Sequence, residues 1–239
     1  MFGLLAGAWA LYAGWIVVPD RYKPWVELDP AEPPNLFTSM KLARAQREPA
    51  RCLALLSSAG IRFEPVADRV TGEGCALQNA VRLGGGRELL LHTPVLVSCR
   101  VALSFAMWER HVIQPAAATH LGTRIARIDH LGGYACRNVV TGRPQDNDVP
   151  GRRSQHATAD ALDVAAFSRA DTGRAIVIRR DWMHEAAQPE VVLGPEAAFL
   201  RDAHKGACGL FDGVLGPDYN AVHADHFHLE AGGHWRMCH

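Results

Sequence analysis

Residues 154–163 read SQHATADALD, and they contain two side chains of the kind that hold metal ions. His156 supplies an imidazole, and Asp163 supplies a carboxylate within an alternating run of small and apolar residues. Such alternation is typical of a β-strand, in which every second side chain points to the same face. The stretch therefore predicts a strand that presents Asp163 on one face, with His156 shortly before it.

A second cluster, HADHFH, occupies residues 223–228 near the other end of the chain. His226 and His228 are two residues apart, so an extended backbone aims both imidazoles at the same side of a sheet. Pairing of this segment with the strand of Asp163 would bring the two clusters together. The sequence therefore predicts one metal site built from two strands.

The donor types favour zinc. Two nitrogen ligands and one carboxylate, with a fourth position left for water, are typical of catalytic zinc, whereas structural zinc sites are closed and usually rich in cysteine. The chain has 12 histidines, so a His-x-His pair by itself has an ordinary alternative as core or surface residues. The joint spacing of both clusters is far more specific than either alone.

That joint pattern resembles the zinc peptidases of the lysostaphin, D-Ala-D-Ala peptidase and hedgehog (LAS) superfamily. Further segments resemble the bacterial extensin-like C-terminal domain family, over roughly residues 50–230. They are YACR (134–137), SQHATADALD (154–163), CGLF (208–211) and LGPDYN (215–220). The Ser-Pro repeats of a plant extensin do not occur in the sequence. The family resemblance implies a small zinc-peptidase fold that acts on cell-wall peptide.

The superfamily resemblance also implies roles for the clustered residues. It makes His228 the third Zn²⁺ ligand beside His156 and Asp163, and it makes His226 the general base that takes a proton from the attacking water. His223 is a second candidate for the base. Superfamily members with Glu-x-x-His place a glutamate where this chain has Asp225.

Three residues around the clusters are candidates for supporting roles. Arg137 is a candidate to stabilise the oxyanion or to hold a substrate carboxylate, because a guanidinium makes paired hydrogen bonds with carboxylates. A surface salt bridge is its alternative. Ser154 and Asp160 are candidates to accept the second N–H of a metal-bound imidazole.

The predicted activity is hydrolysis of amide bonds in peptidoglycan peptides by a zinc-activated water, as a carboxypeptidase or an endopeptidase. Two alternatives are a zinc-containing cell-wall binding module without turnover and a structural wall protein without metal. Lys plus Arg and Asp plus Glu number 25 each, so the composition gives no electrostatic basis for binding nucleic acid.

The N-terminal region predicts a membrane anchor followed by a spacer. Residues 2–18 carry no charge and reach the short limit for a membrane helix, with a buried core helix as the alternative. We interpret residues 1–19 as the anchor, 20–49 as a proline-rich spacer, and 50–239 as the extensin-like, LAS-type zinc peptidase domain. Basic residues after the span argue for a cytoplasmic domain by the positive-inside rule, so the orientation stays open.

Six dispersed cysteines predict disulfide bonds. They contain no Cys-x-x-Cys pair, and an even count behind a hydrophobic segment fits three bridges in an oxidising compartment. Three cysteines precede residue 100 and three follow it, so full pairing requires at least one bridge between the halves. Reduced, buried thiols are the alternative. The cysteines favour a membrane-anchored protein with its domain in the periplasm.

Strands mixed with helices along the chain predict an α+β fold. We expect a small antiparallel sheet that carries the zinc site and is flanked by helices, together with the N-terminal membrane helix.

Overall fold

The structure, a computed structural model, describes residues 17–140, 152–183, 192–233 and 236–239. Within these ranges the α-helices are α1 (Thr38–Gln46), α2 (Pro49–Ser58), α3 (Cys99–Trp108), α4 (Gln114–Leu121), α5 (Ile178–Asp181) and α6 (Pro195–Ala207). The strands are β1 (Arg62–Val66), β2 (Arg69–Gly72), β3 (Cys75–Leu77), β4 (Ala80–Gly85), β5 (Leu90–Ser98), β6 (Ile125–Gly132), β7 (Ala161–Arg169), β8 (Ala175–Val177), β9 (Gly213–Leu215), β10 (Phe227–Glu230) and β11 (Met237–Cys238). A π-helical segment, Glu109–Ile113, joins α3 to α4.

A nine-stranded mixed sheet organises the described part of the chain. Its order is β1-β4-β5-β6-β7-β10-β9-β11, and β8 pairs with β7 beside this path. The β5/β6 and β9/β11 pairs are parallel, whereas the other pairs of the sheet are antiparallel. Strands β2 and β3 form a separate two-stranded sheet.

The prediction of an α+β fold with a small antiparallel sheet is therefore wrong. The fold is mixed α/β with a large sheet. Parallel neighbours need a long crossover connection, and the helical run from α3 to α4 supplies it between β5 and β6. The sequence obscures this pairing because Pro94 lies inside β5 and removes a ladder donor there. Local patterns also do not reveal which strands become neighbours across such a crossover.

Helix α3 lies at the centre of the hydrophobic core. Nine of its residues are buried, and Trp108 donates from Nε1 to the carbonyl oxygen of Ala203 on α6 at 2.8 Å. The Trp108 ring also packs edge-to-face against Phe167 of β7 and against Phe211. Each fully buried large apolar side chain stabilises the fold by roughly 1.5–3 kcal/mol, so this cluster fixes β7 firmly against the helices.

Three disulfide bonds use all six cysteines, which confirms the predicted bridges. They are Cys52–Cys99, Cys75–Cys136 and Cys208–Cys238. Cys75–Cys136 is the bridge between the two halves of the chain that the cysteine count required. It ties β3 to the segment that follows β6. In that segment the carbonyl oxygen of Gly133 accepts a hydrogen bond from the His156 ring.

The membrane helix predicted over residues 2–18 lies almost entirely outside the described residues. In the part of the chain that the structure describes, no helix is long and apolar enough to cross a membrane. Membrane anchoring, and the localisation predicted together with it, is therefore not supported by the described residues and is not carried further. The sequence criterion was weak on physical grounds, since a helix of that length reaches only about 26 Å against roughly 30 Å of hydrocarbon.

Glu109, the first residue of the π-helical segment, holds the turn between β4 and β5. Its carboxylate accepts the backbone N–H groups of Arg87 and Glu88 at 2.7 Å each and that of Leu89 at 2.9 Å. Burial raises the pKa of Glu109 although these three donors oppose the shift. A buried carboxylate thus replaces the missing backbone partners of a tight turn.

We expect Glu109→Ala to lower the free energy of unfolding by about 2–4 kcal/mol, because it leaves backbone donors in the interior without an acceptor. Glu88→Ala is the matched control, since that exposed carboxylate pairs with Arg124 at 3.2 Å on the surface and should change stability by less than about 1 kcal/mol. Urea denaturation of both variants makes the comparison. Equal losses would contradict the role assigned to Glu109.

Candidate metal centre

Asp163 and His228 face each other on neighbouring strands. The antiparallel register of β7 and β10 places Cα of His228 opposite Cα of Asp163, and His228 Nδ1 lies 2.7 Å from Asp163 Oδ1. The residues on either side of Asp163 and His228 in their strands point the other way and belong to the hydrophobic core: Leu162, Val164, Phe227 and Leu229. Period-two alternation therefore gives each strand one apolar face and one face with a polar ligand-type side chain.

His156 reaches this pair from a short 3-10 turn, Gln155–Thr158, that precedes β7. The Ser154 hydroxyl accepts the backbone N–H of His156 at 3.3 Å and so caps the turn. Within the site, His156 Nε2 lies 3.1 Å from Asp163 Oδ2 and 3.2 Å from His228 Nδ1. Three ligand-type groups therefore converge on one point.

Outer hydrogen bonds fix the two imidazoles. His156 Nδ1 donates to the carbonyl oxygen of Gly133 at 2.6 Å, and His228 Nε2 donates to Glu230 Oε1 at 2.7 Å. Metal-bound histidines usually make such a bond with the ring nitrogen that faces away from the metal. His156 Nε2 and His228 Nδ1 thus point inward while their opposite nitrogens are held.

Strong mutual interactions set the charges of the group. Burial opposes ionisation of Asp163, but hydrogen bonds from His156 and His228 outweigh burial and hold the pKa of Asp163 below its ordinary value. Burial also opposes protonation of His228, but its bonds to Asp163 and Glu230 outweigh burial and raise the pKa of His228 to about 9. Without metal, a His228 imidazolium lies between two carboxylates at neutral pH.

Two further imidazoles border the group. His226 donates from Nδ1 to Asp225 Oδ1 at 2.8 Å, and its Nε2 lies 3.7 Å from Asp163 Oδ1. His223 donates from Nδ1 to Asn220 Oδ1 at 2.7 Å. Burial, followed by the electrostatic effect of the neighbouring His228 and His226, lowers the pKa of His223 to about 4. His223 is therefore neutral near pH 7.

The residues fit a metal ion. The ligand atoms of His156, Asp163 and His228 lie within 4.8 Å of one another, and all three residues are buried. A second group meets the same criterion with His223 and His226 beside His228. We favour the first set because it combines nitrogen and carboxylate donors, whereas the second set consists of imidazoles alone. His204 also lies near Cys208 and Cys238, but those sulfurs are joined in a disulfide and cannot serve as thiolates.

Asp163 and His228 of the candidate metal group line a cleft of about 630 Å³. Arg137 and Ser154, both singled out from the sequence, also line this cleft, as do His223 and His226. Asp160 does not accept the outer N–H of His156, which bonds to Gly133 instead. Its carboxylate accepts a hydrogen bond from Thr158 and pairs with Arg100 at 3.3 Å.

Sequence reasoning missed two residues of the site. Glu230 had a usable signal, since it lies two residues after His228 and therefore on the same face of a strand. Gly133 had none, because it acts through a backbone carbonyl that any residue carries. Glycine is needed at position 133 because the backbone there lies close to β5: a Cβ would lie 2.3 Å from the carbonyl oxygen of Leu96.

Together, the fold and the site define a mixed α/β protein with a buried group of histidines and a carboxylate that could hold a metal ion. A family model described as extensin-like protein C-terminus matches residues 50–239. The chain therefore belongs to the extensin-like protein C-terminus family. No curated protein and no solved structure matches the chain.

We expect Gly133→Ala to weaken the binding of a divalent metal ion by about 10–100-fold, the usual effect of disturbing the outer partner of a metal ligand. The added Cβ must move the backbone that accepts the His156 N–H. Gly194→Ala is the matched control, because its Cβ would meet nothing within 4 Å and its φ is −64°. Chelator competition on folded protein measures both affinities, and an unchanged value for Gly133→Ala would count against the assigned contact.

Proposed function

We propose that this protein is a zinc-dependent peptidase that hydrolyses amide bonds in peptidoglycan peptides. The observation that carries the proposal is the buried His156, Asp163 and His228 group, with both outer imidazole nitrogens bonded, at the wall of an open cleft. A buried structural metal would not need a cleft of this size. The neighbouring unligated imidazoles supply proton-transfer groups that a purely structural site lacks.

In this proposal His156, Asp163 and His228 hold Zn²⁺. When bound there, zinc would lower the pKa of a coordinated water toward about 7 and polarise the scissile carbonyl. Asp163 supplies the negative charge of the set, and Gly133 and Glu230 keep the two imidazoles oriented. These residues therefore bind and position, and proton transfer falls to other side chains.

His226 is the proposed general base. Its Nδ1 proton is held by Asp225, so Nε2 carries the lone pair and faces the ligand group at 3.7 Å from Asp163 Oδ1. An imidazole in this state can accept a proton from water and return it to the leaving amine. Asp225, whose other oxygen lies 3.8 Å from the Arg179 guanidinium, is thereby a positioning residue for the base.

His223 and Arg137 complete the proposed site. His223 is neutral near pH 7 and its ring centroid lies 5.2 Å from that of His226, so it can share the base's role. Arg137 lies on the cleft wall, where a guanidinium can hold an anionic oxygen of the substrate or of the transition state.

The peptidoglycan substrate rests on the resemblance of the two motifs to the LAS peptidases. The cleft agrees with a peptide substrate because it joins charged groups with apolar side chains of Leu215, Val222 and Met237. Elemental analysis of purified protein, followed by incubation with purified sacculi and mass spectrometry of released fragments, tests the proposal. Bound zinc without any released peptide would favour the non-catalytic wall-binding alternative. Failure to bind zinc would rule out both the zinc peptidase and the zinc-containing binding module.

Two single substitutions separate ligand from base. We expect His228→Ala to lose both zinc and hydrolysis, because it removes a ligand. We expect His226→Ala to keep near-stoichiometric zinc while hydrolysis falls on the order of 10²-fold or more, the scale of general acid–base assistance. Bound metal and peptide release are measured side by side.

His92→Ala is the control, since this exposed histidine, whose Nδ1 lies 3.8 Å from Asp129 Oδ1, is not among the residues that line the cleft and should retain both properties. Loss of metal from His226→Ala would reverse the assignments of His226 and His228. Full activity in His226→Ala would transfer the base's role to His223.

A further inference from the structure

A short two-stranded ribbon forms one wall of the cleft. Its strands, residues 137–139 and 152–154, are joined by an antiparallel bridge between Asn138 and Arg153. The backbone N–H of Val139 donates to the carbonyl oxygen of Arg152 at 3.0 Å, and that of Ser154 donates to the carbonyl oxygen of Arg137 at 3.1 Å. We call these six residues the arginine ribbon.

The two faces of the arginine ribbon differ. On one face, Arg153 donates to the side chain of Asn138 at 3.0 Å. Because alternate residues of a strand point to opposite faces, their neighbours in the ribbon point the other way. Those neighbours all line the cleft: Arg137, Val139, Arg152 and Ser154. The cleft face therefore carries two guanidinium groups and the opposite face carries a third.

Arg137 and Arg152 are diagonal neighbours across the ribbon. Diagonal positions on one face are roughly 7–8 Å apart, which long side chains span easily. Both residues are exposed, and no carboxylate in the described part of the chain lies within 4.0 Å of either guanidinium.

The ribbon also leads directly into the candidate metal group. Ser154 ends it and caps the turn that carries His156. The two guanidiniums therefore line the same cleft as Asp163 and His228. Two adjacent positive groups with free donors, beside a hydrolytic site, are suited to a carboxylate, which a guanidinium binds through two parallel hydrogen bonds.

We propose that Arg137 and Arg152 together bind the free α-carboxylate at the end of a substrate peptide, so that the protein acts as a carboxypeptidase. This inference rests on the proposed function, and it narrows the choice between carboxypeptidase and endopeptidase. It assigns Arg137 to the substrate carboxylate, and it adds Arg152 as a specificity-determining residue.

Equilibrium binding of three probes tests the proposal on the zinc-loaded full chain with His226→Ala, which should keep the metal without consuming the probes. The first probe is N-acetylated L-Lys-D-Ala-D-Ala with a free terminal carboxylate, and the second is the same peptide as its C-terminal amide. The third is a C-terminal amide that carries a side-chain carboxylate. We expect the first to bind on the order of 10-fold more tightly than either amide, since charge-assisted paired bonds are about that strong.

Substitutions then locate the effect. Arg152→Gln should abolish the preference for the acid by weakening its binding about 10-fold while leaving the amide unchanged. Arg152→Lys should restore part of the preference for the acid, because lysine supplies the positive charge without the paired hydrogen bonds of a guanidinium. Arg153→Gln, on the opposite face of the same ribbon, is the matched control and should bind all three probes as the unaltered chain does.

The outcomes separate this inference from the proposed function. Equal binding of acid and amide, or an acid preference that survives Arg152→Gln, overturns the carboxylate assignment even if sacculi are hydrolysed. Preferred binding of the side-chain carboxylate overturns the assignment to the peptide terminus. A preference for the acid that depends on Arg152 supports the inference even if no hydrolysis is detected, in which case the peptidase proposal fails alone.

Discussion

The register between β7 and β10 is the constraint on which the site depends. It sets Asp163 opposite His228 on one face of the sheet while their neighbours, among them Leu162 and Leu229, enter the core on the other face. A shift by one residue would turn the ligand-type side chains into the core and expose the apolar ones. Because burying an unpaired charge is costly, the hydrophobic core and the metal group enforce the same register.

The position of His156, the third residue of the candidate metal group, depends on backbone contacts with a segment that is distant in sequence. His156 is bonded by its ring to the Gly133 carbonyl, and its own carbonyl oxygen accepts the N–H of Ala135 at 3.0 Å. The Cys75–Cys136 disulfide ties that segment to β3. The turn with His156 is thus held by tertiary contacts on both sides, which suits a ligand that must keep one orientation.

The sequence predicted the members of the site better than the fold around them. Short-range spacing suffices to place Asp163 on a strand and His226 and His228 on one side, because alternation is a local property. The mixed sheet was missed because β5 and β6 become parallel neighbours through a long helical crossover. The contact between Gly133 and His156 could not be predicted from the sequence, because every residue has a backbone carbonyl oxygen. Roles such as ligand or base remain predictions, as proximity alone does not assign them.

The charges of the site explain why a divalent cation suits it. The carboxylates of Asp163 and Glu230 both contact one imidazolium, that of His228, so two acidic groups share one cation there. Uncompensated buried charge is unfavourable. A dication that displaces the His228 proton would balance both carboxylates, whereas a single positive charge would leave one unbalanced. In the proposed function, His223 and His226, which add no negative charge, transfer protons rather than complete the ligand set.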